Sequence, residues 1–213
     1  MDERLSALLD RLHREGVEHD QAESDRLRRL RNLEPDTAAV LALLVRATAA
    51  RDLLELGTSN GYSTLWLADA ARSVDGRLVS VEVDPGRTAL AAENLREGGV
   101  SEHVELRAQD AAETLRSSRA GAWDLIFLDA ERPAYASYWP ELVRVLRRGG
   151  LLAVDNVISH ADELRDFRAL AAADERVSEA LVPTGAGLLL IVREPRGPAA
   201  QGREAESLNP PSG

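Results

Sequence analysis

The chain has no cysteine, which excludes a disulfide framework and any thiolate metal site and fits a reducing compartment. Only eight of its 213 residues are aromatic, few candidates for stacking against the bases of a nucleic acid. A basic excess is missing too. Arginine is plentiful, but aspartate and glutamate outnumber it and the formal net charge is -10, which disfavours a phosphate-backbone partner. No apolar run approaches the ~20 residues of a membrane span, the longest being AAVLALLV and GLLLIV. The opening MDERLSALLDRLHREG reads as an acidic amphipathic helix, not a basic signal peptide. These absences predict a cytoplasmic protein with neither nucleic acid nor membrane as partner.

What is present is ordinary for a globular chain: 44% hydrophobic and 29% charged residues, in a length that suits one domain with extras. Helical spacing over residues 2 to 15, 20 to 31 and 35 to 49 precedes a repeated alternation. Apolar runs DLLEL, RLVSVEV, HVELRA, WDLIFLDA and GLLAVD are separated by amphipathic segments such as Leu65, Ala68, Ala71 and Leu90, Ala91, Leu95. Strands alternating with helices imply a doubly wound α/β sheet, mostly parallel and covered on both faces. Runs near Val177 to Val182 and Leu188 to Val192, joined through TGAG without a helix, predict that the last strand is antiparallel to its neighbour.

The division expected is 1–50 for N-terminal helices, 51–194 for the catalytic domain and 195–213 for a disordered tail with four prolines and three glycines. Leu5, Leu8, Leu9 and Leu12 lie on one face of the first helix, more apolar surface than a lone arm can shelter. A homodimer contact or a lid over the acceptor is expected there.

Ligands of such sheets bind beyond the carboxyl ends of the strands. The first strand ends in ELGTSNGYS, where Gly57 and Gly61 permit a tight turn, Ser63 opens the next helix, and helix amides favour an anionic group. Alone, this is also an ordinary strand-to-helix turn. Glu82 ends the second strand, 21 residues after Gly61, where an acidic residue can accept both ribose hydroxyls. The third glycine of a dinucleotide cradle is missing, which favours a nucleoside ligand without pyrophosphate. Asp110, between Gln109 and Ala111, can bond an adenine amino group and equally cap the following helix.

LLELGTSNGYSTLWLA, VSVEVD, LIFLDAERPAY and LLAVDNV together resemble the metal-dependent O-methyltransferase family that includes the catechol and caffeoyl-coenzyme A enzymes. The resemblance covers roughly residues 33 to 193 and implies a seven-stranded class I methyltransferase sheet binding S-adenosylmethionine. It places Glu55, Gly57, Thr58 and Ser63 at the methionine end of the cofactor, Glu82 at its ribose, Asp110 and Ala111 at its adenine, Leu33 at a further contact and Glu131 at its ammonium group. It makes Asp129, Asp155 and Asn156 the divalent metal ligands. The last three also make sense unaided. Asp129 and Asp155 end strands expected to be neighbours, and with Asn156 they would offer hard oxygen donors to Mg2+, although a DN pair after a strand is also a common Asx turn or helix cap.

The sequence departs from the family three residues after Asp129. A lysine that takes the acceptor proton is usual there, and this chain has Arg132, which stays charged above pH ~12 and is no base. Arg132 can stabilise a developing phenolate, orient an acidic substrate, or pair with Glu131 or Glu141 at the surface. His160, in DNVISH, is the substitute base to consider, although a loop histidine is more often only solvated. Asp129, Arg132 and His160 are thus the candidate catalytic residues. The expected function is Mg2+-assisted methyl transfer to a hydroxyl of a small, catechol-like acceptor; a metal-independent methyltransferase in which His160 or substrate ionisation handles the proton, a nonenzymatic nucleoside-binding module and, more remotely, an NAD-linked dehydrogenase are the alternatives.

Overall fold

A computed structural model describes residues 1–195. The expected tail, apart from Pro195, lies outside the described residues. Seven strands form one sheet in the order β3-β2-β1-β4-β5-β7-β6. They are β1 (Asp52–Leu56), β2 (Arg77–Glu82), β3 (Val104–Ala108), β4 (Trp123–Leu128), β5 (Leu146–Val154), β6 (Val177–Val182) and β7 (Leu188–Arg193). β7 is antiparallel to both its neighbours, and the other pairings are parallel, as the sequence predicts. The helices are α1 (Glu3–Ala22), α2 (Pro35–Thr48), α3 (Tyr62–Arg72), α4 (Pro85–Glu97), α5 (Ala111–Ser117), α6 (Tyr135–Val145) and α7 (Arg165–Ala172).

Alternation along the strands sorts the core into two halves. Leu53, Leu78, Leu125 and Phe127 pack with α1 to α4 on one face, whereas Leu54, Val79, Ile126 and Leu152 pack with α5 to α7 on the other. The central strands are covered on both faces and largely apolar, whereas the edge strands β3 and β6 are mostly half-buried or exposed. The leucines of α1 are absorbed by the first half: Leu5, Leu8, Leu9 and Leu12 are all buried, with Leu5 and Leu8 meeting Leu65 of α3 around Gly98. Burial of that face therefore needs no second copy of the chain.

The helix expected over 20 to 31 does not form. α1 runs on to Ala22, and the chain then turns back as a strap with a single 3-10 turn at Arg26–Arg28. The cause is a long-range bond that local spacing does not contain. Asp20, at the end of α1, accepts from the amides of Leu30 (2.7 Å) and Arg31 (2.8 Å), and Arg31 adopts a left-handed φ of 51°. Asp25 fixes the 3-10 turn by accepting from the Leu27 amide at 2.9 Å. This strap crosses the carboxyl ends of β1 and β4, the switch point where the winding reverses direction. Among the described residues, no helix is long and apolar enough to cross a membrane.

Candidate active site

The turn after β1 is built around a contact that admits only glycine. Gly57 has φ 109°, and a Cβ there would lie 2.0 Å from the carbonyl oxygen of Asp129 at the end of β4. The two strand ends are tied by Asp129 N donating to Leu56 O at 2.9 Å. Gly61, with φ 85°, caps α3. Beneath the turn Glu55 is fully buried and accepts from the hydroxyls of Ser63 (2.5 Å), Thr64 (2.6 Å) and Ser80 (2.6 Å). Burial pushes its carboxyl up to about 7 against the opposing pull of those hydroxyls.

A cleft of about 380 Å³ opens above this turn. Of the residues singled out from sequence, Leu33, Gly57, Thr58, Ser63, Glu82, Asp110, Ala111, Asp129 and Glu131 line it, while Glu55 and Gly61 stand outside the lining. Glu82, at the end of β2, accepts from Ser59 N (2.9 Å) and Asp84 N (3.0 Å), so its carboxylate is fixed at the cleft wall. Asp110 caps α5, accepting from Ala112 N at 2.8 Å, and lines the cleft as well. The strap forms the roof. Ser59 Oγ donates to Leu30 O at 2.9 Å, and Arg87 of α4 donates to the carbonyls of Leu27 (2.5 Å) and Arg29 (3.0 Å).

Next to this cleft lies a second cavity of about 390 Å³, which shares Arg31, Asn32, Leu33 and Asp129 with it. Arg132, Asp155, Asn156 and His160 line its wall. The pairing of Leu128 with Val154 puts the following residues, Asp129 and Asp155, side by side. Asn156, with a left-handed φ of 67°, donates from Nδ2 to Asp129 Oδ1 (3.1 Å) and to Asp155 Oδ2 (3.0 Å). Burial raises both carboxyls, Asp129 to about 6 and Asp155 to about 7, and the charge of Asp129 adds to the rise at Asp155. Asp155 Oδ1 is buried with no hydrogen-bond partner among the described residues. Also among the described residues, no group of three or more histidine, aspartate or glutamate side chains is arranged to hold a metal. This corner has two carboxylates and an amide.

Arg132 is not the surface residue that one of its readings supposed. It is 3% exposed, in the 3-10 turn Arg132–Ala134, and its Nε donates to Glu163 Oε2 at 2.9 Å. The two glutamates expected as partners are engaged elsewhere, Glu131 with Arg31 at 2.9 Å and Glu141 with Arg144 at 2.5 Å. His160 bonds through Nδ1 to Ser159 Oγ at 2.8 Å, and burial, then the nearby Arg132 charge, press its pKa below the ordinary value. No lysine could take the base's place, since all 26 residues counted as Lys or Arg are arginines.

Three features of the site went unread in the sequence. His13 and Gly16 of α1 and Asn32 of the strap complete the second cavity. Gly16 makes the room, because a Cβ there would sit 2.3 Å from Asn32 Nδ2, which donates to Leu12 O at 2.9 Å. A glycine inside the amphipathic first helix was the available signal.

A family model described as O-methyltransferase matches residues 4–194. The catechol O-methyltransferase of Niastella koreensis is 38% identical over 130 residues, covering 60% of this chain and 58% of that protein, so the chain aligns with less than two thirds of that relative's length. Among solved structures, the O-methyltransferase TomG of Streptomyces achromogenes, in complex with S-adenosylmethionine, superposes with a TM-score of 0.72 at 30% identity, covering 91% of each chain. The O-methyltransferase of Bacillus cereus, in complex with S-adenosylhomocysteine, gives 0.73 at 25% identity, covering 88% of this chain and 91% of that one.

Proposed function

The chain belongs to the O-methyltransferase family, and on that premise we propose that it moves a methyl group from S-adenosylmethionine to a hydroxyl of a small, catechol-like acceptor with the help of a divalent metal. The observation that carries the reading is the meeting of two cavities at Asp129, one walled by nucleoside-type contacts and the other by the paired carboxylates. The names of the catechol O-methyltransferase relative and of the two cofactor-bound neighbours support it.

In the first cleft, the Gly57 to Ser63 turn and the start of α3 offer amides to the methionine carboxylate. Glu82 receives the ribose hydroxyls, and Asp110 with Ala111 borders the adenine. Leu33 closes the side shared with the acceptor cavity, and Glu131 stands near the cofactor's ammonium group, its charge balanced by Arg31. Glu55 acts from below by fixing Ser63. Bound there, S-adenosylmethionine would supply a sulfonium methyl for in-line transfer, and these residues would hold it facing the acceptor oxygen. Much of the rate comes from holding that line, with effective molarities of roughly 10^5 M or more in favourable cases.

The metal fits the residues present. Two adjacent carboxyls are raised by burial despite the nearby Arg31 and Arg132, and Asp155 Oδ1 lacks a partner among the described residues. Asn156, turned over, would give Oδ1 as a third hard donor, an amide orientation set by its surroundings. Bound there, the ion would acidify the acceptor hydroxyl. Arg132 cannot remove the proton. His160, whose pKa burial and the Arg132 charge lower, lines the same cavity and can receive it, which also supports the second reading, a methyltransferase that needs no metal.

Titration calorimetry with S-adenosylmethionine and Mg2+, then turnover of a catechol panel with and without chelator, tests the proposal. Methylated product that disappears with chelator and in Asp155→Ala is expected. Turnover indifferent to both would leave the metal-free enzyme, and tight cofactor binding without any product would leave a nucleoside-binding module.

A further inference from the structure

Arg132 presents a buried charge with unused donors. Of the five N–H groups of a guanidinium, a single hydrogen bond is made among the described residues, from Nε to Glu163, and Nη2 is fully buried with no partner. Glu163 is 33% exposed, and its Oε2 also faces Arg26 at 3.5 Å, so it neutralises Arg132 incompletely. Carboxyl groups of Asp129, Asp155, Glu34 and Glu131 also act around this site, with Arg26, Arg31, His160 and Tyr135, and Asp20 and His13 line the same cavity. Both aspartates are already bonded to the Asn156 amide. A cation taken out of water and left with spare donors is costly unless an anion meets it. The residue lines the cavity next to the cofactor cleft.

Building on the methyltransferase reading, we propose that Arg132 binds the acceptor's reacting oxygen in its ionised form and so selects for acidic, phenol-type hydroxyls over aliphatic ones. A lysine can pull a proton from a reluctant hydroxyl, whereas an arginine only stabilises one already lost. The acceptor therefore enters the transfer step as an oxyanion. Its hydroxyl proton is released to solvent before transfer, its oxygen forms the new bond to the methyl carbon, sulfur takes the bonding pair, and Arg132 stays protonated throughout. Glu163 is a positioning residue that fixes the guanidinium through Nε and leaves the terminal nitrogens for the ligand. The alternative source of an anionic oxygen, a carboxylate substituent on the acceptor, shares the chemistry and is separated by the test.

The probe is 4-nitrocatechol, whose visible absorption reports ionisation, bound in the presence of S-adenosylhomocysteine so that no transfer occurs, with Mg2+ and again with chelator. Under each condition that retains binding in the wild type, the bound probe is expected to ionise at a lower pH than it does in Arg132→Met, with about a tenfold or greater difference in ionisation constant. Arg132→Lys should recover part of it. Loss of probe binding in Arg132→Met, with S-adenosylhomocysteine affinity kept and probe binding restored in Arg132→Lys, supports the proposal equally. Should Arg132→Met lose S-adenosylhomocysteine binding, Arg132→Gln serves for the same comparison. Equal ionisation constants in wild type and variant overturn it, as does an effect confined to catechols bearing a carboxylate. Absence of methylated nitrocatechol with S-adenosylmethionine and Mg2+ in the wild type would instead count against the methyltransferase reading, and the spectral comparison would stand apart from it.

Discussion

Replacing Glu55 with glutamine should flatten the dependence of stability on pH. Glu55 is wholly enclosed, and its carboxyl is moved from an ordinary value of 4.5 to about 7, burial outweighing the three hydroxyl donors. At roughly 1.4 kcal/mol for each pH unit, that displacement is worth about 3 kcal/mol. Between the two values the folded protein holds a proton that the unfolded chain has released. The stability contributed by the group is therefore fully present below about pH 4.5 and is lost as pH rises through about 7. Glutamine keeps the size and an acceptor oxygen but does not titrate. Urea denaturation of both proteins, followed by tryptophan fluorescence in chelator and without cofactor, isolates the effect, because Asp129 and Asp155 titrate in each. From about pH 4 to about pH 8, the wild type should lose about 3 kcal/mol relative to Glu55→Gln. Parallel profiles would refute the reasoning and mean that Ser63, Thr64 and Ser80 hold the carboxylate ionised at all these values.

Two further expectations concern the cofactor cleft. Gly57→Ala should lose about 3 kcal/mol or more, since its methyl would press on a backbone carbonyl at a left-handed φ with no flexible neighbour to yield; a thermal melt unchanged from wild type would contradict the tight contact between β1 and β4. Glu82→Ala should weaken S-adenosylhomocysteine binding about tenfold to a hundredfold, as expected for losing a charged acceptor of two hydroxyls, and calorimetry showing unchanged affinity would remove Glu82 from the ribose site.

How far each part could be read from sequence follows from how locally it is built. The central strands of the sheet are legible because burial on both faces makes them apolar runs, and the first cleft, the proposed cofactor site, is legible because its walls include the residues that follow those runs. Glu82, Asp110 and Asp129 stand at the ends of three strands, in the order that the winding rule ranks them. The strap was misread because Asp20 is linked to Leu30 and Arg31, ten and eleven residues on, a connection with no periodicity. Arg132 was open to a surface reading because its partner Glu163 is 31 residues away. His13 and Asn32 reach the second cavity only through the return of the strap over α1.

That difference in construction also separates the two halves of the site energetically. The first cleft, the proposed cofactor site, is tied through backbone groups, with Gly57 against the Asp129 carbonyl and the Glu82 carboxylate holding two amides, so few substitutions leave its shape intact. The second cavity, the proposed acceptor site, is walled by α1, the strap and the segments after β4 and β5. Its cross-ties include Arg31 to Glu131 and Arg26 to Glu163, pairs with exposed members, each worth about 1 kcal/mol or less. Such a wall can change its side chains without disturbing the sheet. On the proposed function, a substitution at position 132 is then expected to alter which hydroxyls are accepted while leaving cofactor affinity unchanged. On the same reading, an arginine where the family resemblance implies a proton-accepting lysine is a change of acceptor chemistry, and Arg132→Lys is the substitution that measures how far that chemistry can be separated from cofactor binding.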